Sequence, residues 1–293
     1  MAMSSKVFIY NAQGASASSA EDLKELFTSE NIFVNRPDVQ LSDFDFNPSG
    51  LNTPTFVVPG GSTTQIGTRV KPQISKIRST LGDNFNYVGV CAGAFIGTRP
   101  ADLFFTTHKY SFQNGGLEEP VFFLTTEDSK VNLDFITDYK AVGSFYPHDG
   151  HKHSTPKTYM PYRVNLSLTE NNSKLSQLYV AGPGFIPVND NGQSSVVATY
   201  TDCESYMFPY EKESTKVNHF PAIISSKPSE DKGGVFLSGT HVEACVPNSR
   251  FLTFFKTAEK HNSALKAEEY DAFVLEQAET RATVESLLSK TLK

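Results

Sequence analysis

Tryptophan is missing from these 293 residues, and cysteine occurs only three times. Cys91, Cys203 and Cys245 are an odd number, widely spread, with no CxxC pair. That argues against a zinc ribbon or a redox dithiol and excludes a disulfide-stapled secreted scaffold. Long apolar runs are lacking as well. Nothing approaches the roughly 20 residues needed to cross a bilayer, so no membrane span is expected. The N-terminus, MAMSSKVFIYNAQGAS, has one lysine and a brief apolar run at 7–10, too short for a signal-peptide core. These absences point to a cytoplasmic protein with free thiols. Positive charge is also short, with 26 Lys and Arg against 32 Asp and Glu, a net −6. No basic block is present, which argues against a nucleic-acid partner.

What remains is an ordinary globular composition, 39% hydrophobic and 20% charged. The length suits one large domain or two smaller ones. KVFIY (6–10) reads as a strand that ends in the small-residue turn NAQGASASS. Ser19 is the expected cap of a helix, AEDLKELFTSE, with acids in its first turn and Leu23, Leu26 and Phe27 at helical spacing. TFVVPGG (55–61) is a buried-type strand, and Pro72 should kink or split the helix that follows it. NYVGV is the next strand, running into Cys91 and a second helix start, AGAFIGT.

Alternating strand and helix predict an α/β fold: a flavodoxin-like three-layer sandwich with a mostly parallel central sheet. The middle, about 101–218, carries short apolar segments between Asn, Asp, Gly and Pro and reads as a β-rich insertion. PAIISSK and GGVFLSGT resume the buried strands. From residue 249 onward no Pro or Gly occurs, and two C-terminal helices are expected. The division expected is a domain over 1–248 and a helical extension over 249–293, packing on the domain or on a protein partner.

The chemistry concentrates at three strand ends. GVCAG places Cys91 between Gly89 and Gly93, at the junction of a strand and a helix. A nucleophile elbow needs small residues two before and two after its central residue, because the turn is strained. The helix N-terminus would favour a thiolate, and the Ala92 N–H is placed to meet an oxyanion. The alternative is a buried structural cysteine. GTHVEAC places His241 after a strand and Glu243 two residues later. On an extended segment the two share a face, so Glu243 can fix the imidazole tautomer and leave the other nitrogen for Cys91. The alternative is a satisfied structural histidine. VVPGG ends a strand in Gly60 and Gly61, whose bare backbone can approach a substrate, or can simply make a turn.

Several stretches taken together resemble the class I glutamine amidotransferase-like superfamily, and more closely the N-terminal domain of biotin–protein ligases in its stand-alone form. They are VFIYNAQGASASSAEDL, FVVPGG, GVCAGAF, YVAGPGFIPV with VVATYTD, and PAIISSKPSEDKGGVFLSGTHVEA. The resemblance implies a Cys–His–Glu triad of Cys91, His241 and Glu243, with the Gly61 and Ala92 N–H groups as oxyanion hole. The family usually has proline between the histidine and the acid, where this chain has Val242. No GRGR-like stretch for adenylate chemistry occurs, so biotin ligation itself is not implied.

The function expected is a thiol amidohydrolase or amidotransferase-like reaction on a small carboxamide through a thioester. A non-catalytic regulatory or ligand-binding module is the alternative. Gly60, Gly93, Gly182 and Gly184 are weaker candidates to line a pocket for the small-molecule substrate. HDGHKH, with His148, Asp149, His151 and His153, could hold a metal but reads as a polar loop. No metal and no cofactor are expected.

Overall fold

The computed structural model describes residues 7–28, 32–34, 53–99, 110–111, 118–119, 133, 135–144, 162–180, 182–187, 192, 194–201, 220–253 and 267–292. The HDGHKH stretch, Cys203 and most of the presumed loops of the middle lie outside them.

Fourteen strands occur among the described residues. The first four are β1 (Val7–Asn11), β2 (Ile32–Val34), β3 (Thr55–Val58) and β4 (Asn86–Val90). Short pieces β5 (Thr98–Arg99), β6 (Tyr110–Ser111) and β7 (Glu118–Glu119) follow. The middle supplies β8 (Ile136–Ser144), β9 (Tyr162–Leu168), β10 (Lys174–Tyr179), β11 (Pro183–Pro187) and β12 (Ser195–Thr201). The last two are β13 (Pro221–Ser226) and β14 (Val235–Ser238). Three helices alternate with the early strands: α1 (Ala17–Phe27), α2 (Thr63–Leu81) and α3 (Ala92–Gly97).

The main sheet has the order β10-β9-β12-β13-β14-β4-β3-β1-β2. From β2 to β14 every pairing is parallel. Those five strands, counted along the chain, stand in the order 2-1-3-4-5, the flavodoxin-like doubly wound arrangement. From β14 outward the pairings are antiparallel, so the β-rich middle extends the same sheet through β9, β10 and β12. A separate sheet, β11-β8-β5, lies beside it.

Side chains alternate along these strands, so each face of the sheet has its own core. Val7, Ile9, Val57, Val88 and Phe236 face α1 through Ala20, Leu23 and Leu26. Phe56, Val58, Tyr87 and Leu237 face α2 and α3 through Ile66, Val70, Ile74, Ile77 and Phe95. Reversing the direction of winding between β1 and β3 is what sends α1 and α2 to opposite faces. The C-terminal helix (Ala267–Thr291) adds Val284 and Leu288 to the α1 side. Its Phe273 packs with Phe251, Leu252 and Leu178.

Two local expectations are corrected. Helix α2 runs unbroken through Pro72. Proline removes one backbone donor, and the buried stripe of Ile66, Val70, Ile74 and Ile77 on both sides outweighs that loss. Helix α1 is capped by Ser16, whose hydroxyl accepts from the Ser19 N–H at 3.4 Å, and it carries no acid in its first turn. Three of the four residues in SASS could have capped it, and the earliest does. Ser19 is thereby left inside the helix with its hydroxyl free for another partner.

Candidate functional site

The carboxyl ends of β3, β4 and β14, neighbours in the sheet, release the chain at one edge. Ligands of doubly wound sheets bind at this edge, beside the strand where the order reverses. At the end of β4, Cys91 adopts φ 51° and ψ −106° and serves as N-cap of α3. A residue with a β-carbon is strained there. The strain persists because the backbone is fixed on both sides. The Cys91 N–H donates to the Ser238 carbonyl at 2.8 Å, and the Gly93 N–H donates to Pro59 at 3.2 Å. The flanking glycines are obligatory for a steric reason. A β-carbon at Gly89 would collide with the Gly93 carbonyl, and one at Gly93 with the Val58 carbonyl. The elbow reading of GVCAG thus has its geometric cause.

Beyond β14 the chain turns at Ser238, whose hydroxyl accepts from the Thr240 N–H at 3.1 Å and donates to the Thr240 carbonyl at 2.8 Å. His241 follows, anchored by its N–H to the Leu178 carbonyl at 2.8 Å. Glu243 lies in a 3₁₀ turn, Val242–Cys245, and not on an extended segment. Its Oε1 meets His241 Nδ1 at 2.8 Å all the same, because the tight turn folds the carboxylate back over its N-cap residue. Cys91 adjoins the same ring across Gly60, and with Nδ1 engaged by Glu243 the nitrogen left for sulfur is Nε2. Burial works against charge on His241. The Glu243 carboxylate and the hydrogen bonds with Cys91 and Glu243 outweigh it and push the imidazole up to about 10. The ring therefore stays protonated across the neutral range.

Both side chains are almost sealed, Cys91 at 7% and His241 at 2% exposure. Gly60 closes one side, since a β-carbon there would sit 2.7 Å from His241 Cε1 and 3.4 Å from Cys91 Cβ. Phe251 stacks on the imidazole at 4.2 Å. The Cys91 thiol donates to the Val180 carbonyl at 3.4 Å, just past the end of β10.

The expected oxyanion donors are the chain neighbours of Cys91 and Gly60. Ala92 is the first residue of α3, and Gly61 (φ 146°) bridges to Ala15. Among the described residues neither N–H has an acceptor. The weaker pocket candidates separate. Gly60 adjoins the histidine. Gly182 faces the Gly239 carbonyl, so its missing side chain is explained by backbone packing. Gly184 lies in β11 next to a register shift. Cys245 is a buried free thiol, held up at about 12 by burial and by the Glu243 charge.

Two side chains were not visible as site residues in the sequence. Ser19, fully buried on α1, donates to Glu243 Oε1 at 2.5 Å and accepts from the Gly60 N–H at 3.3 Å. Asp22, one turn later, accepts from the Arg250 and Phe251 N–H groups at 2.8 and 3.0 Å and from the Ser249 hydroxyl. It thereby caps the turn that bears Phe251. A signal existed: residues 19, 22, 23 and 26 form an i, i+3, i+4, i+7 stripe, which puts two polar side chains on the buried face of α1.

No curated protein matches the chain. Among solved structures, a glutamine amidotransferase is similar at 14% identity and TM-score 0.45, over 86% of this chain and 97% of that one. PurLQS from Thermotoga maritima is similar at 12% identity and TM-score 0.43, over 83% of this chain and 90% of that one. No described helix is long and apolar enough to cross a membrane. A family model described as "Biotin-protein ligase, N terminal" matches residues 5–292, nearly the whole chain, and the protein belongs to that family.

Proposed function

We propose that the protein is a cysteine amidohydrolase or amidotransferase acting on a small carboxamide. The observation that carries this reading is a buried imidazole that meets Glu243 at Nδ1 and lies beside the strained Cys91 across Gly60. The Cys91 sulfur, its proton passed to His241, attacks the carboxamide carbon. A C–S bond forms as the carbonyl π pair moves onto oxygen, and the Gly61 and Ala92 N–H groups receive that charge. His241 then protonates the nitrogen, the C–N bond breaks, and ammonia leaves a thioester behind. Water, or a second amine, gives its proton to His241 and attacks the thioester. The C–S bond breaks, and the sulfur recovers the proton. Glu243 keeps Nδ1 protonated throughout, so the lone pair or proton in use is always on Nε2. The reaction needs a free thiol, in keeping with a reducing compartment such as the cytoplasm.

Near-complete burial of Cys91 and His241 favours a second reading, a ligand-binding or regulatory module related to the N-terminal domain of biotin–protein ligases. Labelling with a thiol-directed activity probe separates the two. Catalysis requires that wild type label strongly, that Cys91→Ala not label, and that His241→Ala label far more slowly. Equal labelling of all three would leave only the module.

A further inference from the structure

Ser19 joins, through its side chain, two parts of the site that follow different strands. Its hydroxyl donates to Glu243 Oε1, the same oxygen that meets His241 Nδ1. Its oxygen accepts from the N–H of Gly60, the glycine that packs against the imidazole. The line therefore runs from the Gly60 N–H through the Ser19 hydroxyl and Glu243 Oε1 to the His241 ring. Ser19 comes from α1, 224 residues from the acid in sequence, and is wholly buried. A helical serine could instead return its hydroxyl to the carbonyl one turn back, as Ser79 does with Lys76. Ser19 does not.

Stereochemistry gives this contact a consequence. A carboxylate on a flexible stem can rotate its oxygens away from a ring nitrogen. A second donor to the same oxygen restricts that rotation, and a charge-assisted hydrogen bond in a dry interior is strong enough to do so. The other oxygen, Oε2, is buried and has no hydrogen-bond partner among the described residues, so nothing else of that kind fixes the group.

We infer that Ser19 is a positioning residue: it holds Glu243 in the orientation that keeps His241 aimed at Cys91, and ties that pair to the PGG segment. The inference rests on the proposed function, because it concerns the same sulfur and imidazole.

The test is the rate of Cys91 alkylation by iodoacetamide as a function of pH, followed by intact mass in the full chain. Wild type, Ser19→Ala, Ser19→Thr and His241→Ala are compared, each first shown to melt cooperatively. With Glu243 loosened, His241 holds its proton less well and less thiolate forms. Ser19→Ala is expected to slow alkylation at pH 7 by roughly 10-fold or more, the worth of one hydrogen bond to a charged group. The gap should close at high pH, where solvent deprotonates the thiol in every variant. Ser19→Thr keeps the hydroxyl and should retain the wild-type profile. A Ser19→Ala profile that matches wild type, or one lowered equally at all pH values, overturns the inference. If Ser19→Ala does not melt cooperatively, Ser19→Thr carries the test, and a profile like that of His241→Ala would overturn it. His241→Ala separates the two layers. Should it leave the profile unchanged, the cysteine–histidine reading itself falls, whatever Ser19 does.

Discussion

In the parallel half of the sheet, β1, β3, β4 and β14 all run the same way and release the chain at one edge. In the antiparallel half, β13, β12, β9 and β10 alternate in direction. Among the described residues the candidate site is drawn from the parallel half: Ser19 after β1, Gly60 after β3, Cys91 after β4, His241 and Glu243 after β14. The antiparallel half contributes backbone carbonyls, Leu178 to the His241 N–H and Val180 to the Cys91 thiol. Parallel strands bring distant segments together end to end, which suits convergent chemistry. Antiparallel strands supply a covering wall whose side chains are free to serve packing.

If that division is right, substitutions in the two halves differ in kind as well as size. The largest effect is expected at the elbow. Gly93→Ala drives a β-carbon into the Val58 carbonyl. It should cost about 3 kcal/mol, the upper end for overpacking, and abolish Cys91 labelling along with it. Chemical denaturation with parallel labelling measures both.

A smaller, pH-dependent effect is expected at Asp22. Burial raises its carboxyl from 3.8 to about 6, against its hydrogen bonds from Ser249, Arg250 and Phe251 and with some help from the Glu243 charge. The folded chain then binds this proton more tightly than the unfolded one. Its contribution to stability is complete below about pH 3.8 and is lost as pH rises through about 6. Asp22→Asn removes that loss. The wild-type unfolding free energy relative to the variant should fall across this window, by an amount on the order of 1 kcal/mol. A difference that rises with pH would contradict the sign.

The antiparallel half is probed by Tyr200→Phe, which deletes the donor to the Pro183 carbonyl at 2.9 Å. It should cost about 1 kcal/mol. The pH profile of Cys91 alkylation should not move. A moved profile would break the division between chemistry and cover.

The same contrast explains what the sequence disclosed. Each parallel strand is a short apolar run closed by a local signal, and PGG, GVCAG and SGTHVE could be read where they stand. Cys91, His241 and Glu243 were legible because spacing within a few residues constrains them. The cover was not. Cys91 meets Val180 across 89 residues, and no local pattern records that pairing. Ser19 was misplaced because a serine before a helix has an ordinary capping role, and its actual partner lies on β14's far side of the chain, at Glu243. The contact of Glu243 with His241 arises in a 3₁₀ turn, where the spacing predicts an extended segment.

The most direct measurement is the ionisation of His241, followed by NMR of imidazole-labelled protein in wild type, Cys91→Ala and Glu243→Gln. A charged ring that persists to about pH 10 in wild type, with its inflection lowered by either substitution, is the expected result. A ring already neutral at pH 7 in wild type, or one indifferent to both substitutions, would show that sulfur, imidazole and carboxylate do not act as a unit.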